Sequence, residues 1–157
     1  MKKKVLFMLA ALLVCVPGLR AADDEVAAPV IQFIEAFNSG NAEAAFATCA
    51  KGDIVIVDEF APHVWVGPHA AQDWATDFDK NAKATGVTDA KVTYGKPFRE
   101  EVNGDVAYIV MPTGYDYKLN GKPMHEDAQM TVVMVKQDGA WKIRSWTWGG
   151  EKPEAED

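Results

Sequence analysis

The residues most able to do chemistry are carboxylates set beside apolar chain. Asp58 ends the run Ile54-Val55-Ile56-Val57. A carboxyl at the edge of so hydrophobic a segment loses water, its pKa rises, and it becomes suited to general-base work. The plainer reading is a turn or capping carboxylate leading into Glu59-Phe60-Ala61-Pro62. A second cluster is His125-Glu126-Asp127. Strand alternation puts His125 and Asp127 on one face, and Glu126 on the other with Met124, Ala128, Met130 and Val132. A His–Asp pair can orient a base, and Asp127 could assist Asp58 across a cavity; a solvated strand start is the alternative. His63, His69 and His125 are scattered, with no His-Glu-x-x-His or paired-cysteine spacing, so no metal is expected. There is no phosphate-cradling glycine loop, no Gly-x-Ser-x-Gly elbow and no dinucleotide fingerprint, so no cofactor is expected either. Cys49 lies in the apolar stretch Ala44 to Ala50 and reads as a small buried residue rather than a nucleophile.

The chain's 157 residues begin with Lys2, Lys3 and Lys4, followed by an apolar run from Val5 to Val16 and then Pro17-Gly18. This is the layout of a secretory signal, too short for a permanent membrane span. Cleavage is expected after Ala21 or Ala22, with a lipoprotein anchor at Cys15 as the rival. The expected organisation is a signal peptide over 1–21, one domain over 22–150 and an acidic tail over 151–157, in a periplasmic or secreted protein. Removing residues 1–21 leaves 12 Lys and Arg against 23 Asp and Glu, a net charge of −11. Phosphate backbones and anionic lipid would repel such a chain, so nucleic acid and, after signal cleavage, membrane are not expected partners. With Cys49 as the one cysteine left, no internal disulfide can form.

Helical spacing of Val26, Val30, Ile31, Ile34 and Phe37 predicts a first helix, ended by Ser39-Gly40, with Pro29 tolerable only in its first turn. Asn41 can cap a second, shorter helix carrying Ala45, Phe46 and Cys49 inward. Ile54 to Val57 reads as a strand buried on both faces, and His63 to Val66 as a second. Gly67-Pro68 opens a third helix from His69 to Ala84, with Trp74 and Phe78 on its apolar stripe and Gly86 as its stop. Four further strands follow: Lys91 to Val102, Asp105 to Leu119, Pro123 to Lys136 and Ala140 to Trp148. Asn103-Gly104, Asn120-Gly121 and Asp138-Gly139 connect them, and such dipeptides are strong hairpin signals. Pro112 and Gly114 interrupt the second of the four and predict a bulge or bend that curves the sheet. The tail is expected to fray.

The fold class is therefore α+β: three helices on a strongly curved, mostly antiparallel sheet, a cone enclosing a pocket. Aromatic residues supply its candidate lining. Trp65, Trp74, Tyr115, Tyr117, Trp146 and Trp148 can either face a ligand or simply fill the core, while Trp141 with Ile143 reads as core.

This order of elements resembles the SnoaL-like or ketosteroid-isomerase-like superfamily, which shares the fold of nuclear transport factor 2. The carrying segments are Ile34-Glu35-Ala36-Phe37-Asn38-Ser39-Gly40-Asn41, Asp53-Ile54-Val55-Ile56-Val57-Asp58, Gly67-Pro68 and Asp138-Gly139-Ala140-Trp141-Lys142-Ile143. The segment from Asp58 to Pro68, Gly121-Lys122-Pro123 and Trp146-Thr147-Trp148 look like an exported bacterial subgroup. The resemblance implies a homodimer and places Asp58 on the position of the proton-shuttling base of ketosteroid isomerases. The positions of that enzyme's two oxyanion donors fall on Phe33 and Met130, neither of which can donate. Each such donor is worth about two orders of magnitude in rate, so steroid isomerisation by that route is not expected. Phe33 and Met130 instead make the pocket more apolar.

The leading expectation is a binding protein for a small hydrophobic or amphipathic molecule, with Asp58 as its polar contact. The alternatives are a cofactor-free lyase, isomerase or hydrolase using Asp58 as base, and a homodimeric interaction protein without small-molecule chemistry.

Overall fold

The computed structural model describes the backbone of residues 20–155 and the side chains of residues 26–155. The lysine cluster, the apolar run and Cys15 lie outside the described residues. Among the described residues no helix is long and apolar enough to cross a membrane.

Three helices and eight strands follow in the order α1 (Arg20–Asn38), α2 (Ala42–Ala47), β1 (Ile54–Val57), β2 (Val64–Gly67), α3 (Ala70–Thr85), β3 (Val87–Tyr94), β4 (Arg99–Asn103), β5 (Val106–Leu119), β6 (Lys122–Gln137), β7 (Ala140–Gly150) and β8 (Glu154–Ala155). One curled, unclosed sheet runs β2-β1-β7-β6-β5-β3, with β4 also on β5 and β8 on β6. All pairings are antiparallel except β1 with β7. The helices cover one face. Val30, Phe33 and Ile34 of α1 and Trp74 of α3 pack on Ile56, Ile109, Met111, Met130, Val132, Met134 and Ile143 of the sheet.

Two of the hairpin dipeptides adopt the left-handed pairs that tight turns demand: Asn120 and Gly121 at φ 51° and 84°, Asp138 and Gly139 at 53° and 80°. Asn41 caps α2 by accepting from the Ala44 N–H. Gly86 ends α3 in the left-handed conformation at φ 82°.

Several expectations are corrected. Pro29 sits inside α1 rather than in its first turn, because the helix begins upstream at Arg20; without a proline N–H, one intrahelical bond is lost there. β1 is buried on one face only, for Ile54 and Ile56 point inward while Val55 and Val57 are each 37% exposed. Among the described residues no helix covers the outer face of this sheet. The strand expected from Lys91 to Val102 is two, β3 and β4, which pair with the two halves of an unbroken β5. The split lies opposite Pro112, whose missing N–H cuts the ladder. A side chain on Gly95 would meet the Pro112 ring at 2.9 Å. The tail does not fray through Ala155: the Glu151 N–H donates to the Asp127 carbonyl, and β8 pairs with Met124 and His125 of β6.

Candidate functional site

Curling leaves a cavity of about 300 Å³ between the sheet and the helices α1 and α3. Its walls follow from strand alternation. Along β5 the odd-numbered residues from Ala107 to Met111 are core, and the same face continues as Tyr115, Tyr117 and Leu119 into the cavity. β6 sends in Glu126 and Met130. β7 holds Trp141 and Ile143 inward, and a register shift near Arg144 keeps Trp146 and Trp148 on that same face. Phe33 and Phe37 of α1, and Trp74 and Phe78 of α3, close the roof. Asn38 ties this roof to β3: its amide donates to the Val92 carbonyl and its carbonyl accepts from the Val92 N–H, each at 2.8 Å.

Aromatic packing is continuous around the cavity. Trp74 meets Trp146 edge-on at 5.0 Å, and Phe33 lies 5.9 Å from Trp146 and 6.0 Å from Trp74. Tyr115 and Tyr117 stack at 4.7 Å, with Trp148 across Tyr115 at 6.3 Å. Burial raises the pKa of both tyrosines, so their hydroxyls stay protonated and can donate.

The polar groups collect where β1 ends. Asp58 is half-buried, and its Oδ2 accepts from the Trp74 indole N–H at 2.8 Å while Oδ1 accepts from the Glu59 N–H at 2.7 Å. Burial raises its pKa, an effect the Trp74 bond partly offsets. Glu126 is 4% exposed, and its Oε1 accepts from the Trp148 indole N–H at 2.7 Å. Burial is the main force pushing its pKa up to about 7; Trp148 opposes the shift, and the neighbouring Glu59 and Asp58 add to it. Glu59 accepts the Gly150 N–H at 2.8 Å. Two carboxyls with raised pKa values therefore share one end of an apolar cavity, the environment in which such groups exchange protons with a bound molecule.

Of the residues singled out from sequence, Asp58, Phe33, Trp74, Tyr115, Tyr117, Met130, Trp146 and Trp148 meet at the cavity. Trp65, His125 and Asp127 do not. Trp65 packs behind the wall against Phe60 at 5.0 Å and donates to Asp77. His125 and Asp127 lie on the opposite face of β6, where His125 is hydrogen-bonded to both Asp116 and Asp127. The Asp127 side chain is 81% exposed, so it cannot assist Asp58. Glu126 occupies the place expected for Asp127. Its alternation with Met130 was the available signal, since a carboxylate on an apolar strand face is costly without a reason. Glu59 and Pro153 also line the cavity. Cys49 is half-buried away from it, with burial raising its thiol pKa. Among the described residues no cluster of three potential metal ligands occurs.

Residues 26–147 match the family model described as a SnoaL-like domain. No curated protein matches the chain by sequence. Solved structures share its fold. The hexachlorocyclohexane dehydrochlorinase LinA-type3 from Novosphingobium barchaimii LL02 is 14% identical, with a TM-score of 0.74 over 87% of this chain and 91% of that one. A ketosteroid isomerase-like protein from Erwinia carotovora atroseptica is 20% identical, with a TM-score of 0.64 over 82% and 95%. At these identities the likeness concerns the fold. With its helices, curled sheet and family match in agreement, the chain belongs to the SnoaL-like family.

Proposed function

We propose that this protein is exported and takes a small hydrophobic or amphipathic molecule into the cavity between its helices and sheet. The carrying observation is the cavity itself: about 300 Å³, walled by aromatic rings, with its carboxyl groups gathered at one end. Ligand sites have this character, with apolar walls for affinity and a few polar groups for orientation. The test is native mass spectrometry of gently purified protein, alongside a titration with N-phenyl-1-naphthylamine, an uncharged apolar fluorophore. Co-purified mass or saturable probe fluorescence, lost when Phe33 and Met130 are replaced by larger residues, supports the reading. No bound mass and no saturation sink it. Export is supported by the lysine cluster and the apolar run of the N-terminus; protein recovered outside the cytoplasm should lack the first 21 or 22 residues.

A second reading, cofactor-free acid–base catalysis, is favoured by Asp58 and Glu126 lining the same cavity, both with pKa values raised by burial. In it Asp58 withdraws a proton from the bound molecule and Glu126 supplies one. The family's fold neighbours include a protein titled a dehydrochlorinase and another titled ketosteroid isomerase-like. Asp58→Asn should abolish turnover while largely sparing uptake; unchanged turnover excludes Asp58 as the base.

The outer face of β1 and β2 bears Val55, Val57, Val64 and Val66, all exposed. Val55 pairs with Val66 and Val57 with Val64, so the four form one patch. This patch supports a homodimer joined through the sheet.

A further inference from the structure

The three carboxyl groups of the cavity are not equivalent. Asp58 is held by two N–H donors, the Trp74 indole and the Glu59 backbone. Glu59 and Glu126 converge on Gly150. The Gly150 N–H donates to Glu59 Oε1 at 2.8 Å. A Cβ placed on Gly150 would lie 1.7 Å from Glu126 Oε1 and 2.6 Å from Glu59 Oε1. The two oxygens thus face each other across one backbone position at the edge of an apolar cavity, where two bare carboxylates repel and have no hydrogen to share. One must carry a proton. Glu126 is the buried member and Glu59 the exposed one, so the proton belongs on Glu126, where a charge would be farther from water. Glu126 Oε1 also accepts from the Trp148 N–H.

We propose that Glu59 and Glu126 form a proton-sharing acid pair at the cavity mouth, closed over Gly150, and that Glu126 is the hydrogen donor that selects a bound molecule with an uncharged oxygen acceptor. In the empty cavity the Glu126 hydroxyl rests against Glu59; a carbonyl, ether or hydroxyl oxygen of the ligand replaces Glu59 as its acceptor. The lining contains Asp58, Glu59 and Glu126 and no Lys, Arg or His among the described residues, so an anionic ligand would meet only like charge. If the donated proton is transferred, Glu126 becomes a carboxylate while Asp58, having taken a proton from the ligand, becomes neutral. The net charge of the cavity is then unchanged. Glu59 is a positioning residue in this scheme, acting through Glu126. The groups facing Glu126 are Asp58 and Glu59 from the segment after β1, Tyr115 and Tyr117 of β5, and Trp148 of β7. The α3 side of the cavity offers Asn81 and Thr85, neither of which titrates.

The acid pair stands on its own geometry, whereas the ligand class rests on the small-molecule reading above; two separate measurements keep them distinct. The first is carboxyl ¹³C NMR of glutamate-labelled protein from pH 4 to 9. One resonance, missing in Glu126→Gln, should titrate near 7, and in Glu59→Gln its midpoint should fall by about one unit or more. Gly150→Ala, which wedges a methyl between the carboxyls, should lower it likewise. An unmoved midpoint in Glu59→Gln overturns the pair. Should the variants fail to fold, wild-type protein decides the matter, since the absence of any glutamate titrating above about 6 also overturns it. The second measurement compares an uncharged ketone fluorophore, 6-propionyl-2-(dimethylamino)naphthalene, with anilinonaphthalene sulfonate. The ketone should bind at pH 6 and lose about tenfold in affinity by pH 8.5, the scale of one lost hydrogen bond, and the sulfonate should not bind. Equal binding of the two, or a ketone affinity indifferent to pH, overturns the ligand class.

Discussion

The Trp74 indole donates to Oδ2 of Asp58 at 2.8 Å, tying the third helix to the end of the first strand. The same ring meets Phe33, Phe37, Phe78 and Trp146. One side chain therefore both builds the apolar wall and orients the carboxyl set into it. Hydrogen bonding to the charged form lowers the pKa that burial raises.

Trp74→Phe keeps most of the ring area and removes the N–H. Asp58 should then titrate at higher pH than in the wild type, because burial acts with less opposition. Stability at pH 7 should fall by roughly 1–3 kcal/mol, the cost of an orphaned carboxyl bond plus imperfect repacking. Carboxyl ¹³C NMR of labelled aspartate and a urea melt measure the two effects. An Asp58 midpoint that stays put would show that Trp74 only packs.

Glu126 gives the fold a pH dependence whose sign can be worked out. Its pKa is about 7 when folded and its ordinary value is 4.5. Between those values the folded chain binds more protons than the unfolded one, so stability falls as pH rises. Its contribution is fully present below about 4.5 and gone above about 7, with a total on the order of 2–3 kcal/mol. Urea melts at pH 5 and 8 should show wild type weaker at pH 8 and Glu126→Gln with a smaller difference. A variant as pH-sensitive as wild type would remove Glu126 as the source.

Much of this arrangement could be read in the sequence, and the misses have physical causes. Helical spacing located the three helices, and Asn120-Gly121 and Asp138-Gly139 located two hairpins, because these signals act over a few residues. Asp58 was legible because its strand is so apolar. Trp65 was misplaced because aromatic character does not distinguish a cavity wall from the layer behind it. The pairing of Glu126 with Glu59 was hidden, since it depends on β7 carrying Gly150 back beside the segment after β1. Even so, simple alternation had already put Glu126 with Met130. What misled was the greater chemical appeal of a His–Asp pair, which solvent occupies on the other face.

The valine patch makes a prediction independent of the cavity. Val66 is 67% exposed and sits on the edge strand β2. Val66→Lys should leave the melting temperature of the folded chain nearly unchanged, since little of Val66 is buried within it. If two copies pair through this face, the lysine buries a charge at the joint, and sedimentation should shift from dimer to monomer at micromolar protein. Dimer that survives both Val66→Lys and Val64→Lys would place the contact elsewhere.

The C-terminal segment should govern exchange more than affinity. Pro153 lines the cavity, yet the strand that follows it, Glu154–Ala155, is two residues long and exposed. Its hold on β6 is small: pairing at Met124 and His125, helped by the Glu151 N–H on the Asp127 carbonyl. Such a short, solvent-exposed attachment opens at low free-energy cost compared with the core. Deleting residues 152–157 removes Pro153 and β8 but leaves Gly150 and its bond to Glu59. The chain should fold with a melting temperature within a few degrees of the parent, and Glu126 should still titrate near 7. Release of N-phenyl-1-naphthylamine in stopped flow should quicken, with on-rate and off-rate rising together, because both require the same opening. An off-rate identical to that of the full chain would mean that Pro153 borders the cavity without obstructing its mouth.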